Sequence, residues 1–257
     1  LRRALERDQF SLLYQPRMDL HTGRIIGVEA LLRWTLANGE QISPSRFIPI
    51  ADEVGLMVPI GRWVLREACR QAKAWQDQGI PPMIISVNVS ARQFRQDNVV
   101  DMIEEVLRET GLDPTLLEVE LTESALMYDA DQYVSMLDKI SDLGVSIALD
   151  DFGTGYSNLS YLKRFPVDRL KVDKSFVHDI THDADDATIV RAIIALGHNL
   201  GLKVVAEGVE TEQQVAFLLD NDCDELQGNY FGRPMHPSAL VPLLRNAKQI
   251  LKGDGLR

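Results

Sequence analysis

Cysteine is nearly absent from this chain. Only Cys69 and Cys223 occur among the 257 residues, and neither belongs to a CxxC pair. Two isolated cysteines are not a disulfide framework, and in a chain of this length they indicate buried thiols in a reducing compartment. A signal peptide and an apolar run of membrane-spanning length are also lacking. We therefore expect a cytoplasmic domain.

Positive charge is scarce as well. The chain carries 27 Lys and Arg residues against 38 Asp and Glu residues, which gives a net charge of -11. This balance excludes a uniformly basic protein that binds duplex nucleic acid. It does not exclude a small phosphate-containing ligand, because metal ions or a few local cations can neutralise such a ligand in an acidic protein.

The sequence also lacks an initiating methionine, since it starts with Leu1-Arg2-Arg3. We therefore expect a fragment cut from a longer protein, and whether that parent is anchored in a membrane stays open. No linker, low-complexity stretch or internal repeat divides the chain. A length of 257 residues suits one α/β barrel, so the prediction is a single domain over residues 1–257.

Short β-rich segments alternate with amphipathic helices along most of the chain, which is typical of a parallel sheet covered by helices. The predicted strands are residues 10–14, 24–31, 83–89, 116–122, 145–150, 167–172, 202–206 and 223–226. The predicted helices are residues 1–8, 44–54, 59–78, 96–109, 130–142, 156–163, 185–200, 211–220 and 236–251. About eight strands in this length favour a closed (β/α)8 barrel. The first two strands should be antiparallel, because His21-Thr22-Gly23 is too short for a parallel crossover.

The predicted strands have two different faces, because successive side chains point in opposite directions. One face is apolar, for example at Val119 and Ile147, and should contact the helices. The other face is small or polar, for example at Ser86, Glu118 and Glu120, and should line the barrel. Barrel interiors are usually filled with branched apolar side chains, so these carboxylates predict a functional site at the barrel mouth.

Polar side chains end almost every predicted strand. They are Glu29, Asn88, Glu120, Asp150, Asp151, Lys171, Asp173, Glu207 and Gln227. Strand carboxyl ends of an α/β barrel converge on one rim, where active sites lie. Carboxylate and carboxamide oxygens suit Mg²⁺ or Mn²⁺. The adjacent pair Asp150-Asp151 could bridge two ions about 3.5–4 Å apart, a recurrent arrangement for phosphoester hydrolysis.

Each of these residues also has an ordinary structural interpretation. A single Glu at a strand end is most often an ion-pair or surface residue, and Asp150-Asp151 before Phe-Gly could form a turn. Lys171 could extend its ammonium group to solvent. Taken together the ordinary interpretation is weaker, because so many strand ends carry groups of one chemical kind. Glu118 and Arg169, in contrast, are predicted to form an internal structural ion pair.

Two further motifs are weak. His178 and His182 have the HxxxH spacing of a metal-binding pair on a helix, but their acidic neighbours favour a solvated loop. Gly153 and Gly155 lie in Asp-Phe-Gly-Thr-Gly-Tyr, which is not a P-loop because no Gly-Lys-Ser/Thr follows. We interpret that segment as a mobile loop beside the metal ions.

The ordered motifs resemble those of the EAL-domain cyclic di-GMP phosphodiesterases, over about residues 5 to 250. The matching strings are Tyr14-Gln15-Pro16, Glu29-Ala30-Leu31-Leu32-Arg33-Trp34, Asn88-Val89-Ser90, Glu120-Leu121-Thr122-Glu123, Asp150-Asp151-Phe152-Gly153-Thr154-Gly155, Leu170-Lys171-Val172-Asp173-Lys174, Ala206-Glu207-Gly208-Val209-Glu210 and Gln227-Gly228. One departure is Asn229, where the family often has an aromatic residue. The resemblance implies a modified (β/α)8 barrel with an antiparallel first strand pair.

The resemblance also implies a role for each site residue. The ligands of a first metal ion would be Glu29, Asn88, Glu120 and Asp150, and a second ion would face Asp150, Asp151 and Asp173. Glu207 would bind a metal ion or its water, Lys171 would orient or deprotonate the attacking water, and Glu123 would hold the Asp-Phe-Gly loop. Substrate contacts or supporting roles would fall to Gln15, Arg33, Glu210 and Gln227.

The implied reaction is hydrolysis of cyclic di-GMP to linear pGpG by a water held between two Mg²⁺ or Mn²⁺ ions. Relatives usually follow sensor and diguanylate-cyclase-like domains and often form dimers, so a homodimer is expected. A catalytically silent receptor or protein-interaction module is the alternative, although such relatives typically lose motif residues that are all present here. A Schiff-base aldolase that uses Lys171 is disfavoured, because surrounding carboxylates would keep the amine protonated.

Overall fold

The computed structural model describes residues 1–96, 99–127, 130–155 and 159–245. The strands are β1 Phe10–Asp19, β2 Arg24–Thr35, β3 Gln41–Ile42, β4 Ile84–Asn88, β5 Leu117–Thr122, β6 Ser146–Phe152, β7 Arg169–Val172, β8 Lys203–Ala206 and β9 Glu225–Gln227. The helices are α1 Pro44–Glu53, α2 Met57–Asp77, α3 Ala91–Gln96, α4 Val99–Thr110, α5 Glu123–Met127, α6 Ala130–Asp142, α7 Leu159–Leu162, α8 Lys174–His178, α9 Ala184–Asn199, α10 Glu212–Asp220 and α11 Pro237–Arg245.

Eight of these strands close into a barrel in the order β1-β9-β8-β7-β6-β5-β4-β2, and pairing of β1 with β2 completes the circle. The short β3 adds to the outer end of β2. β1 is antiparallel to both of its neighbours, whereas the strands from β2 through β4 to β9 pair in parallel. The predicted barrel with an antiparallel first strand pair is therefore confirmed.

Some predicted helices differ from the structure. Residues 1–8 form turns, and the prediction of a helix there is wrong. Asp8 has a φ of 51°, which lies outside the right-handed helical region. The helix predicted over 96–109 corresponds to α4, while α3 before it was not predicted, and residues 97–98 between them are not described. The ends of the predictions at 156–158 and 246–251 also lie outside the described residues.

The HxxxH motif does not lie on one helix. α8 ends at His178, and His182 follows in an exposed turn, so the solvated-loop interpretation is confirmed. Three short helices were not predicted, α3, α5 and α8, because five or six residues are too few to show an amphipathic repeat. Within the described ranges, no helix is both long and apolar enough to cross a membrane.

The barrel wall separates an apolar mantle from a polar interior. Side chains such as Val119 and Ile147 are fully buried under the surrounding helices, as the strand patterning predicts.

The interior contains two stacked sets of polar side chains. The upper layer consists of Gln15, Glu29, Asn88, Glu120, Asp150, Lys171, Glu207 and Gln227. The lower layer consists of Arg17, Ser86, Glu118, Arg169 and Glu225. The predicted Glu118–Arg169 ion pair belongs to the lower layer, with Nη1 of Arg169 2.8 Å from Oε2 of Glu118.

Candidate active site

Lys171 occupies the centre of the upper layer, and its side chain is fully buried. Its Nζ atom lies 2.8 Å from Oε2 of Glu120 and 2.6 Å from Oε1 of Glu207. Asp150 is next, with Oδ1 at 3.3 Å, and Oε2 of Glu29 lies 4.0 Å away. Burial by itself would lower the pKa of Lys171, but the four carboxylates outweigh it and hold the pKa well above its usual value. The ordinary interpretation of an ammonium extended to solvent is therefore wrong.

Glu29 is held from both sides by amide groups. Nδ2 of Asn88 donates to Oε1 of Glu29 at 2.7 Å, and Nε2 of Gln227 donates to Oε2 at 2.5 Å. Gln227 also reaches Oε1 of Gln15 at 3.2 Å. Burial raises the pKa of Glu29, yet Lys171 and the two amide donors more than compensate, so the pKa falls below its usual value. Glu29 is therefore a fixed, ionised carboxylate.

Glu120 and Glu207 have the opposite electrostatic balance. Burial and the neighbouring carboxylates Glu29 and Asp150 raise the pKa of Glu120 well above its usual value, although Lys171 opposes them. The same causes raise the pKa of Glu207 to about 8. One lysine is thus too little positive charge for the carboxylates of this layer, and a divalent cation would supply more.

Asp151 and Asp173 lie beside the upper layer, at the ends of β6 and β7. The backbone of Asp151 has a φ of 54°, a left-handed conformation that L residues adopt at a cost, and its N–H donates to Oδ1 of Asp150 at 3.0 Å. Burial, Asp150 and Asp173 together raise the pKa of Asp151 to about 6. Asp173 accepts from the backbone N–H of Ser175 at 2.9 Å and thereby caps α8.

The arrangement fits a divalent cation. One ligand atom from each of Asp150, Asp151 and Glu207 lies within 4.8 Å of the others. Among the described residues, Oε1 of Glu120 and Oε1 of Gln227 are buried without a hydrogen-bond partner. A buried carboxylate oxygen without a donor is costly, and a cation beside it would remove the cost. The donor set consists of oxygen atoms, which favours a hard ion such as Mg²⁺ or Mn²⁺.

The loop after β6 is tied to Glu123, the first residue of α5. Oε2 of Glu123 accepts a hydrogen bond from the backbone N–H of Gly153 at 3.1 Å, and the carboxylate also lies against Gly155. Gly153 has a φ of 99° and Phe176 close to its Cα, so a side chain there would be strained. Glu123 is therefore bonded to this loop, its catalytic role stays a prediction, and the following residues 156–158 are not described.

The four residues with predicted substrate or supporting roles fall into two groups. Gln15 and Gln227 belong to the upper layer, and Gln15 is itself fixed by a 3.1 Å hydrogen bond from Nε2 to the carbonyl of Gly232. Arg33 lies partly buried on β2, where its Nη1 donates to the carbonyl of Leu32 at 2.9 Å. Glu210 is exposed on the rim and accepts from Nδ2 of Asn229 at 3.0 Å.

Gln93 was not singled out from the sequence, although it fixes the loop that follows Asn88. Its Oε1 accepts from the backbone N–H of Ser90 at 2.9 Å, and Oγ of Ser90 accepts from the N–H of Gln93 at 3.3 Å. This reciprocal pair at the start of α3 is a capping box. Gly61 on α2 makes room for it, because a Cβ there would lie 1.9 Å from Nε2 of Gln93. The Ser-x-x-Gln spacing was the signal that could have identified it.

Gly228 follows Gln227 in the matching Gln-Gly string, and the structure shows why a glycine is needed there. A Cβ on Gly228 would lie 2.1 Å from the carbonyl oxygen of Val209 and 2.3 Å from its nitrogen. Backbone atoms cannot move aside as a flexible side chain does. The close approach lets the N–H of Val209 donate to the carbonyl of Gln227 at 3.1 Å, which ties the loop after Glu207 to the end of β9.

Replacement of Gly228 by Ala should therefore separate Glu207 from Gln227. We expect a loss of about 1–3 kcal/mol in the free energy of unfolding, as for other overpacked sites, together with a larger loss of function than that instability explains. Urea unfolding followed by fluorescence measures the first quantity. Gly155→Ala is the matched control for stability, because neither glycine has a positive φ and a Cβ on Gly155 would lie no closer than 3.7 Å to its nearest neighbour, Glu123. Equal effects of both substitutions would contradict the packing argument.

Comparison with known proteins identifies a matching family model and similar sequences. The family model for the EAL domain matches residues 1–234. The bifunctional diguanylate cyclase/cyclic di-GMP phosphodiesterase MucR of Pseudomonas aeruginosa is 50% identical over 241 residues, which cover 94% of this chain and 35% of that protein. The cyclic di-GMP phosphodiesterase PdeR of Escherichia coli is 43% identical over 235 residues, which cover 91% and 35%. This chain thus spans about a third of the length of these curated relatives.

A solved structure agrees with these sequence matches. It is described as "PaMucR Phosphodiesterase, c-di-GMP complex" and superimposes with a TM-score of 0.90 at 50% sequence identity. The superposition covers 93% of this chain and 97% of that chain. The barrel and its site therefore have a close counterpart that was solved with the cyclic dinucleotide.

Proposed function

Because this chain belongs to the EAL domain family, we propose that it hydrolyses cyclic di-GMP to linear pGpG with the help of divalent metal ions. The observation that carries the proposal is the upper layer itself. Its carboxylates surround one buried lysine, and Oε1 of Glu120 has no hydrogen-bond partner in the described part of the chain. Support for the substrate comes from MucR, PdeR and the cyclic di-GMP complex of a 50% identical relative.

The residues of the layer divide between two proposed metal positions. Those proposed for a first ion are Glu29, Asn88, Glu120 and Asp150. Those proposed for a second are Asp150, Asp151 and Asp173, with Glu207 bound to an ion or to its water. Two Mg²⁺ or Mn²⁺ ions held there would supply an activated water and stabilise negative charge on the phosphoryl group and the leaving oxygen.

Lys171 is proposed to orient the attacking water. A lysine ammonium group has three N–H donors, and here three carboxylates surround it within 3.3 Å, on Glu120, Asp150 and Glu207. Such an ammonium is a fixed electrostatic group next to the reacting phosphate. It has no lone pair for attack on a carbonyl carbon, which argues against a Schiff-base aldolase.

The proposed reaction consumes one water for each phosphodiester bond. The water oxygen bonds to phosphorus while the bond from phosphorus to the 3′ oxygen breaks, and the leaving oxygen gains a proton. One linear dinucleotide with a 5′ phosphate results. Glu123 would hold the loop at Gly153 in the shape that the reaction needs, through the 3.1 Å hydrogen bond. Contacts to the substrate are proposed for Gln15, Arg33, Gln227 and Glu210, of which Arg33 suits a phosphate group.

The protein context is also part of the proposal. This chain would be the cytoplasmic phosphodiesterase domain of a larger signalling protein, since it covers only 35% of MucR. Sensor and diguanylate-cyclase-like domains would precede it, and two copies would associate as a homodimer. The second candidate function is a receptor that binds cyclic di-GMP without hydrolysing it, because binding needs only part of the same site.

The decisive experiment is incubation of the purified chain with cyclic di-GMP and Mg²⁺ or Mn²⁺, followed by chromatographic separation of the nucleotides. We expect pGpG to appear only when the ion is present, and a chelator to stop its formation. Intact substrate together with tight binding would make the chain a receptor. Intact substrate without binding would refute the proposed function.

Metal binding can be tested without any substrate. A cation that binds only the folded protein stabilises it by about 2.7 kcal/mol at a concentration of 100 times its dissociation constant. We therefore expect Mn²⁺ to raise the thermal unfolding temperature and a chelator to reverse the increase. Ca²⁺ at the same ionic strength serves as a comparison, because it prefers more ligands at longer distances. Identical unfolding curves with and without Mn²⁺ would contradict a preformed metal site.

A further inference from the structure

The lower layer is a closed ring of charges inside the barrel. Nη1 of Arg17 lies 2.5 Å from Oε1 of Glu118, whose Oε2 lies 2.8 Å from Nη1 of Arg169. Arg169 continues to Oε1 of Glu225 at 3.2 Å through Nε. Nε of Arg17 closes the ring, 3.1 Å from Oε2 of Glu225, although this last contact lacks hydrogen-bond geometry. Each carboxylate thus contacts both arginines, and Oε2 of Glu225 also accepts from Nε of Arg169 at 3.3 Å.

The ring spans the barrel rather than one edge of it. Its corners lie on β1, β5, β7 and β9, and Ser86 on β4 adds a 2.7 Å hydrogen bond to Glu118. Nη2 of Arg17 also lies beside β2, where a Cβ on Gly27 would meet it at 3.4 Å, an ordinary van der Waals contact. Side-chain contacts inside the barrel therefore join four strands that are distant from one another in the sequence.

Stability is a poor explanation for this ring. A barrel interior is ordinarily filled with branched apolar side chains, and replacing a buried ion network by well-packed apolar residues is often neutral or stabilising. Arg17 is only 1% exposed, and its Nη2 has no hydrogen-bond partner among the described residues. An arrangement that leaves a buried donor unpaired is not optimised for folding alone.

Each corner of the ring lies two residues from a member of the upper layer on the same strand. The four pairs are Arg17 with Gln15, Glu118 with Glu120, Arg169 with Lys171 and Glu225 with Gln227. Residues i and i+2 of a strand point to the same side and are joined by stiff extended backbone. A strand that shifts at its ring corner therefore moves its upper-layer side chain by a similar distance.

We propose that this ring, and Arg17 in particular, positions the metal-binding layer by locking the heights of β1, β5, β7 and β9. Its two positive and two negative charges cancel in sum, and Nζ of the exposed Lys203 lies at its edge, 3.8 Å from Oε1 of Glu225. Arg17 touches neither substrate nor metal and is a positioning residue. The expected effect of the ring on turnover rests on the proposed function. The expected effect of the ring on metal affinity rests only on the carboxylate layer.

Two variants test the ring. Arg17→Lys keeps the charge but loses the planar fork that reaches two carboxylates at once. The second variant replaces the ring by apolar side chains, with Arg17→Met, Glu118→Leu, Arg169→Met and Glu225→Leu. The control is Arg62→Lys, which alters an Arg–Glu pair of similar length, 2.6 Å, whose side chains are 42% and 38% exposed.

Four quantities are measured for each variant: Mn²⁺ affinity by calorimetry, the thermal unfolding temperature with a chelator, and kcat and KM for cyclic di-GMP. We expect Mn²⁺ affinity and kcat to fall about 10–100-fold in both ring variants, the range for groups that orient metal ligands, with a smaller change in KM. The apolar variant should unfold at or above the wild-type temperature. Arg62→Lys should match the wild type.

Folded ring variants with wild-type Mn²⁺ affinity would overturn the inference. Loss of folded protein in both variants would also overturn it, because the ring would then act in stability. If the wild type binds Mn²⁺ but hydrolyses no cyclic di-GMP, the proposed function fails, and a lower Mn²⁺ affinity in Arg17→Lys still supports the positioning role.

Discussion

Asp150→Asn is expected to abolish the hydrolysis of cyclic di-GMP. Oδ1 of Asp150 lies 3.3 Å from Nζ of Lys171, and Asp150 groups with Asp151 and Glu207 within 4.8 Å. The amide has nearly the same shape but no charge, so both proposed metal positions lose a shared anionic ligand. The rate should fall by more than about 100-fold, the upper end for groups that only support a ligand.

The measurement is the initial rate of pGpG formation at saturating Mn²⁺, with unfolding curves to confirm that the variant is folded. Asp220→Asn is the matched control, because Asp220 is exposed at the end of α10. It should leave the rate unchanged. A wild-type rate in Asp150→Asn would disprove the proposed metal position.

Lys171→Met is expected to lower turnover without abolishing the binding of cyclic di-GMP. It should also lower the free energy of unfolding, because the carboxylates of the upper layer then repel one another. Removing the ammonium leaves Glu29, Glu120, Asp150 and Glu207 without their buried cation. Loss of one partner from a buried ion pair typically costs about 3–5 kcal/mol, so we expect a loss of that size when no metal is bound. Mn²⁺ should restore most of it, because the added cations neutralise the same carboxylates.

Turnover in Lys171→Met should fall steeply while cyclic di-GMP still binds, if the ammonium orients the water rather than shaping the pocket. Denaturant unfolding with chelator or with Mn²⁺ measures stability, and calorimetry with Mn²⁺ present measures binding. The control is Lys163→Met, since Lys163 is exposed. Loss of binding together with turnover would assign Lys171 a structural role. Equal stability of variant and wild type in chelator would refute the electrostatic argument.

The fold was largely predictable because its signals are local. Alternation of β-rich segments with amphipathic helices predicted the barrel, and the three-residue connection at His21-Thr22-Gly23 predicted the antiparallel first pair, which the register of β1 and β2 confirms. Failures occurred where a segment was too short for periodicity, as in the turns of residues 1–8 and in α3, α5 and α8.

The site was predictable in part for the same reason. Strand carboxyl ends meet at one rim in a barrel, so polar strand ends such as Glu29, Glu120 and Asp150 had to lie near one another. Their roles toward metal and substrate stay predictions. Gln93 and the packing of Gly228 on Val209 were missed, because they depend on how loops approach one another rather than on strand order.

The sequence by itself determined which strands form, which face of each is polar and which rim carries the carboxylates. Apart from the predicted Glu118–Arg169 pair, only the tertiary structure decided how those polar faces pair across the barrel. Arg17 and Glu118 are 101 positions apart, and nothing in the local pattern of either strand names the other as its partner. Pairing across a closed barrel depends on strand tilt and stagger, which arise from the closure of all the strands together.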